Sequence, residues 1–165
     1  MKLLGILLLS VIPVSWGIGQ YIHLNRRTTL LIEIVQLILT VKERIRFTQT
    51  ELDRLLSFLH SQPGFSKDVK LIIRSVMKKR NYNDILEALK KIKPALLKED
   101  EIFLLSEFFA SLGQSDIKGQ IELCEFYFTE FERIKTKEES VKTEKSRLSL
   151  GLSMALSAVI FIILI

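Results

Sequence analysis

The chain has 165 residues, 48% of them apolar and 26% charged, with a net charge of +5 and one cysteine. Its 24 basic and 19 acidic residues are unevenly spread: apart from Lys2, all lie between Arg26 and Arg147, so a polar middle separates two uncharged apolar ends. That division excludes a plain soluble enzyme, and a lone Cys124 excludes an internal disulfide framework or a cysteine-based zinc site.

Residues 1-24 read as a transmembrane helix. A bilayer core about 30 Å thick needs roughly 20 apolar residues, and the uncharged run from Leu3 to Ile22 supplies that length. Pro13 is tolerated in such a helix, and Trp16 and Tyr21 suit the interface. A secretory signal peptide is the competing reading, since Lys2, an apolar run and the small residues Ser15 and Gly17 form a loose cleavage pattern. Charge favours retention. Arg26 and Arg27 follow the first apolar run, Lys142, Lys145 and Arg147 precede the last one, and basic residues prefer the cytoplasmic side. Both junctions therefore place the middle in the cytoplasm and both termini outside it.

Residues 25-134 read as an all-α bundle, because apolar positions recur at helical spacing and no stretch alternates with period two. Thr28 or Thr29 can cap a first helix to about Phe47, with Leu30, Ile34, Leu37, Val41 and Ile45 on one stripe and Leu31, Val35 and Ile38 widening it. A second helix, near Glu51 to His60, points Leu52, Leu55, Leu56 and Leu59 inward and ends at Gln62-Pro63-Gly64. Ser66 can cap a third to about Arg80, burying Val69, Ile72, Ile73, Val76 and Met77. Asn83 can cap a short fourth helix carrying Ile85, Leu86 and Leu89, which Pro94 interrupts. The fifth, about Lys98 to Leu112, presents Ile102, Leu105, Phe109 and Leu112 with Phe108 beside them, and Gly113 suits the left-handed residue after its last turn. Ser115 or Asp116 caps a long sixth helix with Ile117, Ile121, Cys124, Phe128 and Phe131 on its apolar stripe. Residues 135-147 continue it as a polar helical stalk, and the uncharged residues 148-165 as a second transmembrane helix. The expected architecture is thus about six helices between an N-terminal and a C-terminal span.

Charge is divided within the bundle. Residues 67–98 hold ten Lys/Arg and three Asp/Glu, net +7, whereas residues 99–132 hold one Lys and nine Asp/Glu, net −8. Lys67, Lys70, Arg74 and Lys78 repeat at spacings of three and four and should share one helix face. Such a face either docks an acidic partner or anionic headgroups, or simply opposes the acidic helices within the fold. Nucleic acid is not expected as a partner, because glycine-flanked aromatics are absent and the positive charge is local.

From Leu97 to Gln120 the chain carries Leu97-Lys98-Glu99-Asp100-Glu101, then Phe108-Phe109-Ala110-Ser111-Leu112-Gly113-Gln114-Ser115-Asp116, then Gln120. This resembles the stage III sporulation protein AB family, in which an acidic helix start leads to Phe-Gly-x-x-Leu-Gly-x-Ser-Asp and a glutamine four residues on. Gly5, Gly17 and Arg26, then Leu37, Ile45 and Phe47, and finally Leu150-Gly151-Leu152 extend the resemblance over nearly the whole chain. Glu51, Phe109 and Ala155 depart from that pattern, as does the lack of a tryptophan near Ile85 to Leu89. The resemblance implies a part in endospore formation, within a secretion-like channel between mother cell and forespore. It implies likeness to the platform protein F of type II secretion and type IV pilus systems. It further implies the mother-cell membrane around the forespore as location, with a cytosolic secretion ATPase and other membrane proteins of the channel as partners. A homo-oligomer is left open.

Leu112-Gly113-Gln114-Ser115-Asp116 has a sufficient structural explanation, with Gly113 ending one helix and Ser115 or Asp116 capping the next. Cys124 falls on an apolar stripe, where cysteine acts as a small hydrophobe. His60, before a Pro-Gly turn, suits contact with a helix end better than metal binding, and Glu99, Asp100 and Glu101 favour the dipole of their own helix. Neither an acid–base set nor a phosphate-cradling glycine loop can be assembled, so the expectation is a non-enzymatic platform without catalytic residues, metal or cofactor. Lys67, Lys70, Arg74 and Lys78 are its candidate partner-binding residues. The alternative is a membrane-anchored receptor or adaptor whose helical docking module has no link to secretion.

Overall fold

In a computed structural model, residues 2–48, 52–92 and 96–164 are described, although few side chains are described within 1–24 and 145–165. The described residues form six helices and no strand: α1 (Lys2–Thr48), α2 (Leu52–Ser61), α3 (Lys67–Val76), α4 (Tyr82–Ile92), α5 (Glu99–Ser111) and α6 (Ile117–Leu164). Two compact units divide the chain, one from Thr29 to Lys135 and the other combining Met1–Thr28 with Thr136–Ile165.

The larger unit is built around α1. Leu30, Leu31, Ile34, Val35, Leu37, Ile38, Val41 and Ile45 are all buried, an apolar arc too wide for a helix that faces one neighbour. Around it α2 contributes Leu55, Leu56 and Leu59, α3 contributes Val69, Ile72, Ile73 and Val76, α4 contributes Ile85 and Leu89, and α5 contributes Ile102, Leu105, Phe108 and Phe109. Full burial of one such side chain contributes about 1.5–3 kcal/mol, so the bundle draws its stability from this shared cluster. Pairwise packing of α2 on α3, α3 on α4 and α4 on α5 follows the short connections between them.

Four local expectations need correction. No cap forms at Thr28 or Thr29: α1 runs through both, and Thr28 is buried within it. No glycine or proline falls between Gln20 and Thr48, and threonine caps only where the backbone is already leaving helical geometry. The third helix stops at Val76 rather than Arg80, because Met77 leaves helical geometry and Lys78 takes φ 65°. Asn81, not Asn83, starts α4, accepting the Asn83 N–H at its Oδ1 (3.4 Å) while its carbonyl takes the Ile85 N–H. On α6 the inward residues are Cys124, Tyr127 and Phe131, whereas Ile117 is 40% exposed and Ile121 and Phe128 are half-buried. Pro94 and Glu51 lie outside the described residues.

In the smaller unit, Arg27 Nε meets Glu138 Oε2 at 3.0 Å with both side chains nearly buried, and Lys142 Nζ donates to Asn25 Oδ1 at 2.7 Å. Among the described residues no helix is long and apolar enough to cross a membrane. The expected spans, 1-24 and 148-165, lie largely outside the described side chains.

Candidate functional site

The basic face is set by how α3 starts, packs and stops. Ser66 precedes the helix in extended geometry, and its hydroxyl accepts the Val69 N–H at a long 3.5 Å. A second acceptor comes from far away in sequence: Glu33 Oε2 on α1 takes the Ser66 N–H at 3.0 Å. This carboxylate serves the free donors of the α3 N-terminus, the part that a glutamate of α3 itself plays in a capping box. With Val69, Ile72, Ile73 and Val76 turned to the core, Lys67, Lys70 and Arg74 are left on the outer side. Leu71 stands among them 47% exposed, one turn from both Lys67 and Ser75. Lys78 is exposed too, but it sits in the left-handed turn beyond the helix and so leaves the row that spacing alone assigned to it. Among the described residues, Lys67, Lys70, Arg74 and Lys78 form no ion pair.

The acidic segment spends its charge elsewhere. Glu125 reaches Lys42 of α1 at 2.9 Å, while Glu130 with Arg133 and Glu132 with Lys135 pair along α6. Arg80 turns to Asp53 at the start of α2, 2.8 Å away. Lys90 rests over the Phe103 ring at 4.7 Å, a cation–π contact in place of an ion pair. The opposed charge of the two segments is therefore not explained by ion pairs between the four cations and the acidic helices.

At the α5–α6 corner, Gly113 has φ 80°, a conformation natural only to glycine. Of the two alternatives for the cap, Asp116 supplies it: its Oδ1 takes the Gly119 N–H at 2.9 Å. Ser115 contributes its carbonyl, which accepts from Gln120 Nε2 at 2.8 Å. Gly119 is part of the same device, since a Cβ there would lie 2.9 Å from the Asp116 carboxylate and 3.0 Å from Ser115.

Periodicity misses Tyr127 because the four-and-three step goes from Cys124 to Phe128, whereas the buried row runs Cys124, Tyr127, Phe131. The Tyr127 ring meets Phe108 edge-on at 5.4 Å and Phe126 at 5.1 Å. Burial, with the Glu107 charge adding to it, pushes its phenol above the ordinary range. Burial likewise raises the Cys124 thiol to about 11, so it is unreactive at neutral pH. His60 is half-buried with its Nδ1 unpartnered, and no group of three or more ligating side chains is placed to hold a metal among the described residues. A shallow groove of about 690 Å³ between α1 and the α2–α3 loop is lined by Leu39, Phe47, Phe58 and Phe65, with Arg44 stacked 3.7 Å over Phe58.

Comparison with known families gives one match of full length: residues 2–165 fit the family model described as stage III sporulation protein AB. No curated protein and no solved structure matches the chain.

Proposed function

The chain belongs to the stage III sporulation protein AB family, and from that premise we propose that it is a non-enzymatic platform on which a cytosolic secretion ATPase docks. Family membership gives it a role in sporulation. The finer reading places it in the mother-cell membrane around the forespore, held by spans at 1-24 and 148-165, with the bundle in the cytoplasm beside other membrane proteins of a secretion-like channel. Its support is the charge pattern at the two apolar junctions, where Arg26 and Arg27 follow one run and Lys142, Lys145 and Arg147 precede the other.

The observation that carries the docking reading is the outer side of α3. Three cations that form no ion pair among the described residues surround an exposed leucine. Unpaired charge at a surface steers an oppositely charged partner and fixes its register, while a desolvated apolar residue holds it. The motor-facing residues are Lys67, Lys70 and Arg74, with Lys78 at the margin.

The test is capture of the ATPase by the full chain, before and after Lys67→Glu, Lys70→Glu, Arg74→Glu and Lys78→Glu are combined. Capture should fall about tenfold or more, as like-charge juxtaposition demands, with the helical circular dichroism signal retained. Capture at the original level overturns the reading.

A further inference from the structure

The arc of α1 that enters the core leaves one strip outside. Gln36, Leu39, Glu43 and Phe47 follow one another on it at spacings of three and four, all exposed, with Leu39 at 38% and Phe47 at 74%. Phe58 of α2 and Phe65 of the α2–α3 loop, both half-buried, form the opposite wall of the groove of about 690 Å³. At 1.5 Å per residue the strip from Gln36 to Phe47 is about 16 Å long, or roughly three turns of helix. Its rims carry amides and a carboxylate, Gln36 and Glu43 on one side and Gln62 on the other. Apolar walls with polar groups repeated along both rims suit a partner that itself alternates apolar and polar residues at helical intervals. A lipid tail would leave those rims unused.

Charge decides which partner fits. At the Phe47 end the signs are mixed, with Glu43 beside Arg44 and Arg46. At its other end the groove runs into the start of α3: Gly64 and Phe65 line it, Glu33, less than a turn before Gln36, holds the Ser66 N–H, and Lys67 comes next. Lys67, Lys70 and Arg74 form no ion pair among the described residues, whereas Asp68 between them is already engaged within the chain. The α3 end is therefore the one that selects a sign, and it selects acids. We infer that the groove receives an amphipathic helix of the docking ATPase, about three turns long. Its apolar residues, at spacings of three and four, enter between α1 and the α2–α3 loop, and its acidic end lies over the start of α3. The inference rests on the platform reading above and names the part of the motor that the basic face meets. Leu39, Phe47, Phe58 and Phe65 supply the desolvated anchor, and the cations of α3 fix its register.

Photo-cross-linking of the full chain in lipid nanodiscs tests this, with p-benzoylphenylalanine in place of Phe47 and the ATPase present. The label should attach to one segment of the ATPase, and that segment, read by mass spectrometry, should carry the apolar spacing and the acidic end. Leu39→Asp combined with Phe47→Asp should lower ATPase capture about tenfold, with the helical circular dichroism signal retained because both side chains are exposed. Attachment to a second copy, to lipid or to an ATPase segment without that pattern overturns the inference. So does capture at the original level by the Leu39→Asp, Phe47→Asp chain. The two readings fail separately. If charge reversal on α3 lowers capture but the label attaches nowhere, the groove is removed and the platform stays. If the label reaches an acidic amphipathic segment while that reversal leaves capture unmoved, the α3 docking face is removed and the groove stays. No capture by the unaltered chain removes both.

Discussion

The helix pair α3 and α5 ends in the same way with different residues. Each is followed by a cap residue outside helical geometry, Met77 after α3 and Leu112 after α5, and each then turns through a residue at positive φ. After α5 that residue is Gly113, at 80°; after α3 it is Lys78, at 65°. Glycine adopts that conformation freely, whereas an L side chain pays about 1–2 kcal/mol for it. The two N-terminal caps differ as well. Asp116 starts α6 with a short 2.9 Å bond from its own carboxylate, while Ser66 starts α3 with a 3.5 Å bond supplemented by Glu33 from α1. The α5–α6 corner is thus specified locally, and the borders of α3 are imposed by packing.

That contrast can be broken at its strongest point by Gly113→Ala, which should destabilise the chain by about 1–2 kcal/mol in chemical denaturation. A loss within error would mean that the left-handed turn is not a constraint there. Next in size, Asp116→Ala should cost about 1 kcal/mol and Ser66→Ala visibly less, since the Ser66 bond is long and its backbone N–H is held by Glu33. Equal losses would remove the distinction between a local and an imposed cap. The smallest expected effect has the opposite sign. Lys78→Gly should stabilise by about 0.5 kcal/mol, the relief of strain less the added freedom of the unfolded chain, and an unchanged denaturation midpoint would sink the strain argument.

The same contrast explains what could be read in advance. Gly113 and the Leu112-to-Asp116 block announce a stop and a start, because a glycine and a carboxylate act on backbone within a few residues of themselves. The end of α3 carries no such signal. The three-and-four spacing carries the helical row on to Lys78, and the nearest turn signal, Asn81-Tyr82-Asn83, comes three residues later than the turn itself. Of the basic row, Lys67, Lys70 and Arg74 occupy the outer side of α3, and exposed Leu71 gives that side an apolar centre that charge spacing does not reveal. On α6 apolar spacing does not distinguish Phe128 from Tyr127, whose ring packs edge-on against Phe108 of α5.

What the sequence determined by itself is the helical class, the inner stripe of α1, the division of charge and the family, all of which rest on spacing and composition along one strand of chain. Tertiary structure alone decided that Glu33 serves Ser66, that Lys42 holds Glu125, and that the cations of α3 find no partner in the acidic segment. Periodicity records which residues share a side of a helix. Which carboxylate reaches which donor depends on how distant helices pack, and that information is carried by the shape of the whole core.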